Sequence, residues 1–542
     1  AASIRWRFVK DTPGDTAFGE FDDPDNIATN GIVGLVSVST SKASMNVGGV
    51  LEGKSAFGTT AGVTVVIKDG VWDDYVGDPY RATRPQFPRT FWPVWNARNA
   101  FYGGMYLVIY DGFVGQSLAE MRQRKYVLDK VDGPDASGKV TLTGVDPLRL
   151  TGSAKAEFPR TTDIKVAVAF TETSTSISVR ADLDDINDLS EFGNAAYRLI
   201  RIGNEVIRYN GFTEVSAGAY RLTGLTRGFD NTTASSGSVD ARAQRCGRFE
   251  NLEPWRMGKF LMQNATRIPA EFFDFDAWET EGERYLSIFK RSITISEVNA
   301  VDSLMGEICQ QGMFNIWWNE DAQTIPMLAI RPPRGTVEQL TYESNILAGS
   351  AELRREPKSL ITRAFVYYGP KDPTASRTQT ANYQRLEGAI ELENESENAA
   401  GGAFTRTIYA RFIETEAHAF QLISRLFLRY GSVPRFLSIR VSEKDRAIEV
   451  GQVTDVLSRQ VMDADGRIDP ARWQVTSFGT IRAGEVYLLD LQSFDLLGRY
   501  GNWMGEGAPD YLDATDEQRA TGMWWAGADG KMSDVSDGYR WQ

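Results

Sequence analysis

The chain has 542 residues, 42% hydrophobic and 11% aromatic, which is too much apolar material for one core because single domains usually stop growing near about 250 residues. Its net charge of −13 lacks the basic footprint expected of a protein that mainly binds nucleic acid or an anionic membrane. No apolar run approaches the ~18 residues that cross a bilayer, and the N-terminal AASIRWRFVKDTPGD lacks a signal peptide's apolar core. No stable membrane insertion is therefore expected, and the product is expected to start in the cytoplasm.

From residue 31 short β-like runs alternate with Gly, Asp and Pro punctuation: GLVSVSTS, GVTVVIKDG, GMYLVIYDGFVG and RKYVLDKVDGPDASGKVTLTGVDPLRL. The pattern predicts a compact antiparallel barrel or sandwich over 1–158, with a hairpin turning through DGPDASG. Residues 72–104 form an arm rich in Trp, Tyr, Phe and Pro, where Pro79, Pro85, Pro88 and Pro93 argue against a regular strand or helix. Its aromatics, Trp72, Phe91, Trp92 and Trp95, read either as the lid of the barrel core or as an exposed interaction patch.

Residues 159–248 are richer in Thr, Ser, Ala and Gly and read as an inserted β module. Within it, IGNEVIRYNGFTEVSAGAYRLTGLTRG runs into FDNTTASSGS. Val206, Ile207 and Tyr209 can line one strand and Tyr220, Leu222 and Leu225 a second, with Gly211 and Gly218 bounding the loop between them. The lone Arg227 in the closing turn is expected to fix that turn or to meet Asp230. Residues 249–334 read as a small α/β module. EPWRMGKFLMQNATRIPAEFF is expected to be partly strand, ISEVNAVDSLMGEICQQG a helix weakly capped by Ser296 and Asn299, and FNIWWNEDAQTIPMLAIRPP a hairpin.

Residues 335–496 carry strands flanking a polar stretch, 370–403, expected to be a mobile loop. A helix follows over 414–430, whose buried stripe would include Ala417, Phe420, Leu422, Ile423, Leu426 and Phe427, with Gln421 and Arg425 on its polar side and Gly431 ending it. The tail, 497–542, is rich in Gly, Asp and Trp and too small to fold alone. Trp503, Trp524, Trp525, Tyr539 and Trp541 would dock it on its own chain or on a neighbour. The expected fold class is thus mainly β with α+β parts, including an inserted β module and a small α/β module.

Chemistry-bearing residues are scarce. Cys246 and Cys309 are the only cysteines and argue against a disulfide framework or an iron–sulfur cluster; buried thiols are expected. The single histidine, His418, rules out multi-histidine zinc sites and reads as a packing residue. Enzymatic chemistry would have to run on carboxylates, and no spacing singles out a pair. DLDDINDLS at 182–190 reads as a solvated acidic loop. DADGRID at 463–469 begins like a calcium loop but has Gln474 where an EF-hand needs Glu. Gly48, Gly53, Lys54 and Ser55 match the phosphate-loop spacing, yet a β-strand rather than a helix follows. No catalytic residue, cofactor or metal is expected.

Taken together, GLVSVSTSKASMNVGG, TFWPVWNARNAFYGG, the RKYVLDKV hairpin, the insert string ending LTGLTRG, and GMFNIWWNEDAQTIPMLAIRPP with NILAGSAELRREPKSLITRAFVYY resemble the central tail-hub or tail-tip proteins of long-tailed bacteriophages, related in type to the hub region of the phage lambda host-specificity protein. The resemblance implies that the main β regions are two related tube-type β-barrel domains per chain, the second near 335–370 and 400–495, and it implies assembly as a homotrimer whose six barrels continue the tail tube. It also implies a virion location at the tail tip, a distal tail protein above, tip or fibre proteins below, a tape-measure protein within, and DNA only in transit past an acidic lumen. Interaction candidates are Trp92, Trp95, Arg227, Trp503, Trp524, Trp525 and Trp541. Two other readings stay open: a glycan-binding adhesin using the insert, and a carboxylate-based cell-wall hydrolase.

Overall fold

The computed structural model describes residues 8–9, 32–46, 57–58, 61–70, 90–113, 119–152, 156–187, 198–287, 289–331, 338–395, 402–462, 465–468, 471–493 and 515. The chain is mainly β with few helices, 41% strand and 22% helix, in several sheets that curl as half-barrels. This is the fold class that the turn-punctuated alternation predicts.

The first sheet is antiparallel, in the spatial order Leu35–Ser41, Gly62–Lys68, Lys139–Val145, Arg122–Asp132, Tyr106–Asp111. Alternation sorts its faces, so that Val63, Val65 and Ile67 enter the core from one strand and Val140 and Leu142 from the next. The expected hairpin forms: the Asp135 carboxylate accepts from the backbone amides of Ser137 at 2.8 Å and Lys139 at 2.9 Å. The aromatic arm departs from expectation, because Phe91–Arg98 is an α-helix that contains Pro93. Pro93 lies in the first turn, where its missing N–H would have had no intrahelical partner.

One core joins this sheet to three helices, Pro254–Asn264, Phe275–Tyr285 and Val301–Gly312, through Trp255, Leu261, Trp278, Leu304 and Ile308. The first of these replaces the partly stranded segment expected there. Pro254 opens it at N1, and Trp255, Gly258, Leu261 and Met262 are buried at helical spacing. The helix expected from Ile295 onward starts at Val301, without a side-chain cap, because Asn299–Ala300 is taken up as a strand against Glu157–Phe158. Ser296 instead donates from Oγ to the Pro373 carbonyl at 2.6 Å. The FNIWW hairpin forms as Phe314–Ile316 against Met327–Ala329.

The insert leaves this core after Phe158 and returns at Gly247. There the Phe158 ring stacks on Phe249 at 5.3 Å, and a Cβ on Gly247 would fall 2.3 Å from the Phe158 ring. Beyond the helices, Tyr383–Ile390, Arg363–Pro370 and Thr405–Ala410 form a three-stranded sheet, so the polar stretch expected to be a loop contains a strand. It pairs antiparallel along one edge with Arg363–Pro370, a long-range partner that its polar side chains do not signal.

Helix Glu416–Tyr430 covers the sheet's inner face. Thr415 caps the helix, accepting from the His418 amide at 3.4 Å. Its buried stripe is rotated from expectation: Phe420 is 53% exposed, Ala417 is exposed, and Arg425 and Arg429 are buried.

The last sheet orders Glu338–Thr341, Val453–Leu457, Ala471–Arg482, Val486–Ser493, Arg435–Ser442 and Glu352–Arg355 around Trp473, Tyr487, Leu489 and Leu491. Residues 42–46 stitch the first sheet to it. The Met45 amide donates to the Thr476 carbonyl at 2.8 Å, Ser477 Oγ to the Ala43 carbonyl at 2.6 Å, and Lys42 pairs with Asp490. Arg122 reinforces the joint: it donates to Thr480 Oγ1 at 3.0 Å, pairs with Asp321, and lies 5.9 Å and 5.8 Å from the ring centroids of Phe478 and Tyr487.

Replacing Gly247 with Ala should destabilise the root of the insert by about 1–3 kcal/mol, the usual cost of overpacking a filled core. Calorimetry of the full chain checks this through a lowered first transition; an unchanged transition would mean that Phe158 moves aside freely.

Candidate functional site

The motif that dominates the insert closes a barrel. The seven-stranded ladder runs Glu205–Arg208, Leu199–Ile202, Arg242–Arg245, Ile164–Val166, Ile177–Arg180, Ala219–Thr223 and ends in Gly211–Ser216. Its sixth strand also returns to its start, because Thr226, just beyond Ala219–Thr223, exchanges backbone hydrogen bonds with Arg208 at 2.8 Å and 3.1 Å. Ile164, Val179, Ile200, Ile207, Leu222 and Ala243 fill the interior. The pairing differs from the single hairpin expected here. Glu205–Arg208 pairs with Leu199–Ile202, while Gly211–Ser216, the expected loop, is itself a strand against Ala219–Thr223.

Glu205 and Arg227 fasten the seam. Glu205 is fully buried; Arg227 donates to it from Nε and Nη2, both at 2.8 Å. The same carboxylate accepts from the backbone amides of Gly228 and Ser235 at 2.9 Å each. Arg227 also donates to the carbonyls of Thr171 at 3.0 Å, Ser174 at 3.2 Å and Ser235 at 2.6 Å, and its guanidinium lies 5.3 Å from the Phe170 ring centroid. A buried ion pair is tolerable only when its remaining hydrogen-bonding capacity is used, and here it is used.

Burial pushes the Glu205 carboxyl up, but the bonds from Arg227, Ser235 and Gly228 outweigh it, and its pKa falls below the ordinary value. Gly228 has φ 59°, and a Cβ there would sit 2.7 Å from the Thr232 carbonyl oxygen, which explains the glycine after the arginine. Arg227 therefore meets Glu205 and not Asp230, whose carboxylate goes to Arg248 at 3.3 Å.

Glu205 is the residue that the sequence reading passed over. The available signal was parity: in EVIRY it shares the inward face with Ile207 and Tyr209, and an inward charge demands a partner.

The remaining candidates do not gather with Arg227. Trp92 is buried in the first-sheet core, 5.4 Å from Trp95, which packs partly buried at the edge of the same core. Trp503, Trp524, Trp525 and Trp541 lie outside the described residues, as do Trp72 and the phosphate-loop match at 48–55. His418 is buried, stacked on Phe289 at 4.2 Å and hydrogen-bonded through Nε2 to the Gln311 carbonyl at 2.8 Å. Burial lowers its pKa to about 4.

Both cysteines are free and buried, and burial pushes Cys246 up to about 12. Among the described residues no group of His, Cys, Asp or Glu gathers to hold a metal. The Asp146 carboxyl is raised to about 7 by burial, against bonds from the Ala61, Leu148 and Arg149 amides. It sits inside the first-sheet region, with Ala61 donating at 2.6 Å.

No protein-family model matches the sequence, and no curated protein matches it. The structural neighbours include phage tail and virion proteins and components of type VI secretion and PdpA–VgrG complexes. A 43 kDa tail protein of prophage MuSo2 from Shewanella oneidensis is 8% identical with a TM-score of 0.35, covering 84% of this chain and 97% of its own. A prophage tail protein from Listeria monocytogenes is 10% identical with a TM-score of 0.28, covering 72% and 94%. A native gene transfer agent virion protein is 10% identical with a TM-score of 0.26, covering 85% and 82%. At these TM-scores the likenesses assign no function by themselves.

Arg227→Ala should cost the insert about 3–5 kcal/mol, the usual penalty for orphaning a buried charge. Because the Glu205 pKa is depressed on folding, the pair's contribution is fully present above the unfolded carboxyl value of about 4.3 and is lost as pH falls through the folded value. Hydrogen exchange at the Val206 and Thr226 amides reads both effects. Protection that survives the substitution would show that the seam closes without the pair.

Proposed function

We infer that the chain is a structural virion protein forming the central hub that closes the distal end of a phage tail tube. One observation carries this reading. The two large half-barrel sheets lie joined in one copy through residues 42–46 and Arg122, and neither sheet closes on itself among the described residues. The first ends in Leu35–Ser41 and Tyr106–Asp111, the last in Glu338–Thr341 and Glu352–Arg355. Curled sheets with free edges are completed by neighbours, and three copies of a two-sheet chain supply the six units of a tube-like ring. The insert, which closes its own barrel, stands apart from this task.

On this reading the domains are those expected from the sequence: hub domains at 1–158 and 335–496, the insert at 159–248, the α/β module at 249–334 and the Trp-rich arm at 497–542. A distal tail protein would sit above the ring, tip or fibre proteins below, and the tape-measure protein and DNA would pass through on ejection. The net charge of −13 suits a lumen that must not retain DNA phosphates. The chemistry asked of the chain is association and opening, with no bond-making step.

Native mass measurement of the purified chain should give a species of three copies, alone or on addition of its tail partners. A stable monomer with no tendency to join them would contradict the hub reading.

A further inference from the structure

A cleft of about 780 Å³ opens where the root of the insert meets the start of strand Tyr383–Ile390. Six cations line it, Arg248, Arg291, Lys371, Arg377, Arg385 and Arg411, against four carboxylates, an excess of positive charge on a strongly acidic chain. Most of the carboxylates are already engaged. Asp230 holds Arg248 at 3.3 Å, Glu414 holds Arg291 at 3.0 Å, and Asp372 accepts from the amide and hydroxyl of Thr374 at 2.7 Å each. The fourth, Glu416, is the first residue of helix Glu416–Tyr430. Arg377 and Arg411 are held by Glu307, which reaches in from helix Val301–Gly312.

Three cationic groups retain unused capacity. Lys371 donates from Nζ to the Ala381 carbonyl at 3.0 Å and has no carboxylate partner among the described residues. Arg385 is exposed and likewise has no carboxylate among them. Arg291 is 8% exposed, and its Nε is buried without a hydrogen-bond partner among the described residues.

The second observation is the strand that leads out of the cleft. Tyr383–Ile390 is an edge strand, paired on one side with Arg363–Pro370 and on the other with no strand among the described residues. It is exposed along most of its length, including Leu386 at 49% and Ile390 at 46%. Such an edge offers backbone donors and acceptors in register with apolar contacts.

We propose that the cleft and this edge together take an extended acidic segment of a partner protein, which adds to Tyr383–Ile390 as a further strand and sets its carboxylates against Lys371 and Arg385, with Arg291 in the cleft wall. A free phosphate would use the cations alone. The unpaired edge with its apolar side chains calls for a polypeptide. The inference does not rest on the hub reading: a trimer that binds no acidic peptide would keep that reading and remove this site.

The test uses the full chain and a fluorescent peptide alternating Glu with Val, alongside a counterpart alternating Lys with Val. Anisotropy should show binding of the Glu peptide alone, weakened by salt and weakened at least about tenfold in the K371E/R385E variant. Hydrogen exchange should show new protection over 383–390 on peptide addition. Salt titration and exchange on the unmodified chain keep the test decisive if the variant folds poorly. Absence of binding, equal binding of the Lys peptide, or an undiminished affinity in a folded variant overturns the proposal. So does inorganic phosphate that displaces the peptide and yields the same protection.

Discussion

Sheet edges govern this molecule. A strand with an unpaired edge exposes backbone donors and acceptors that must be paired, covered or blunted, and the chain meets that constraint in two ways. The insert meets it alone: the Thr226–Arg208 exchange closes the ladder, and the Glu205–Arg227 pair holds the closure. The two large sheets do not. They are stitched to each other by residues 42–46 and Arg122 and still end in open strands among the described residues.

This contrast separates a sheet that returns to its own start within one copy from two sheets whose edges stay open among the described residues. Among the described residues Leu35–Ser41 is an edge strand, with Val36 and Val38 exposed at 44% and 37%. A solitary soluble protein would blunt such an edge with charge or proline, and LVSVSTS carries neither. The proposed hub gives these strands neighbours and leaves the barrel rooted at Phe158 and Gly247 outside the proposed ring.

The β alternation, the DGPDASG hairpin, the FNIWW hairpin and the helix ending near Tyr430 were legible because each rests on local signals: period-two patterning, turn residues with a mechanism, and an apolar stripe at helical spacing. What was not legible depended on partners distant in sequence. Glu205 and Arg227 are 22 residues apart, and nothing local says that EVIR pairs backward with LIRI while GFTEVS pairs forward. Asn299–Ala300 was lost from the helix to a strand more than a hundred residues earlier. The helical stripe predicts Phe420 inside and Arg425 outside, whereas Phe420 is exposed, Arg425 and Arg429 are buried, and Arg429 donates to Gln492 of the last sheet at 3.1 Å. Pro93 misled because proline disrupts helix interiors and not first turns.

In the proposed hub the two half-barrel sheets alternate around a tail tube. Electron cryomicroscopy of tails that contain this chain tests it directly. The account predicts three copies at the distal end of the tube, with the first and last sheets alternating as six units around the lumen and the insert barrels outside the ring. Density for the chain elsewhere on the particle, or a ring that leaves Leu35–Ser41 without a neighbouring strand, would contradict it.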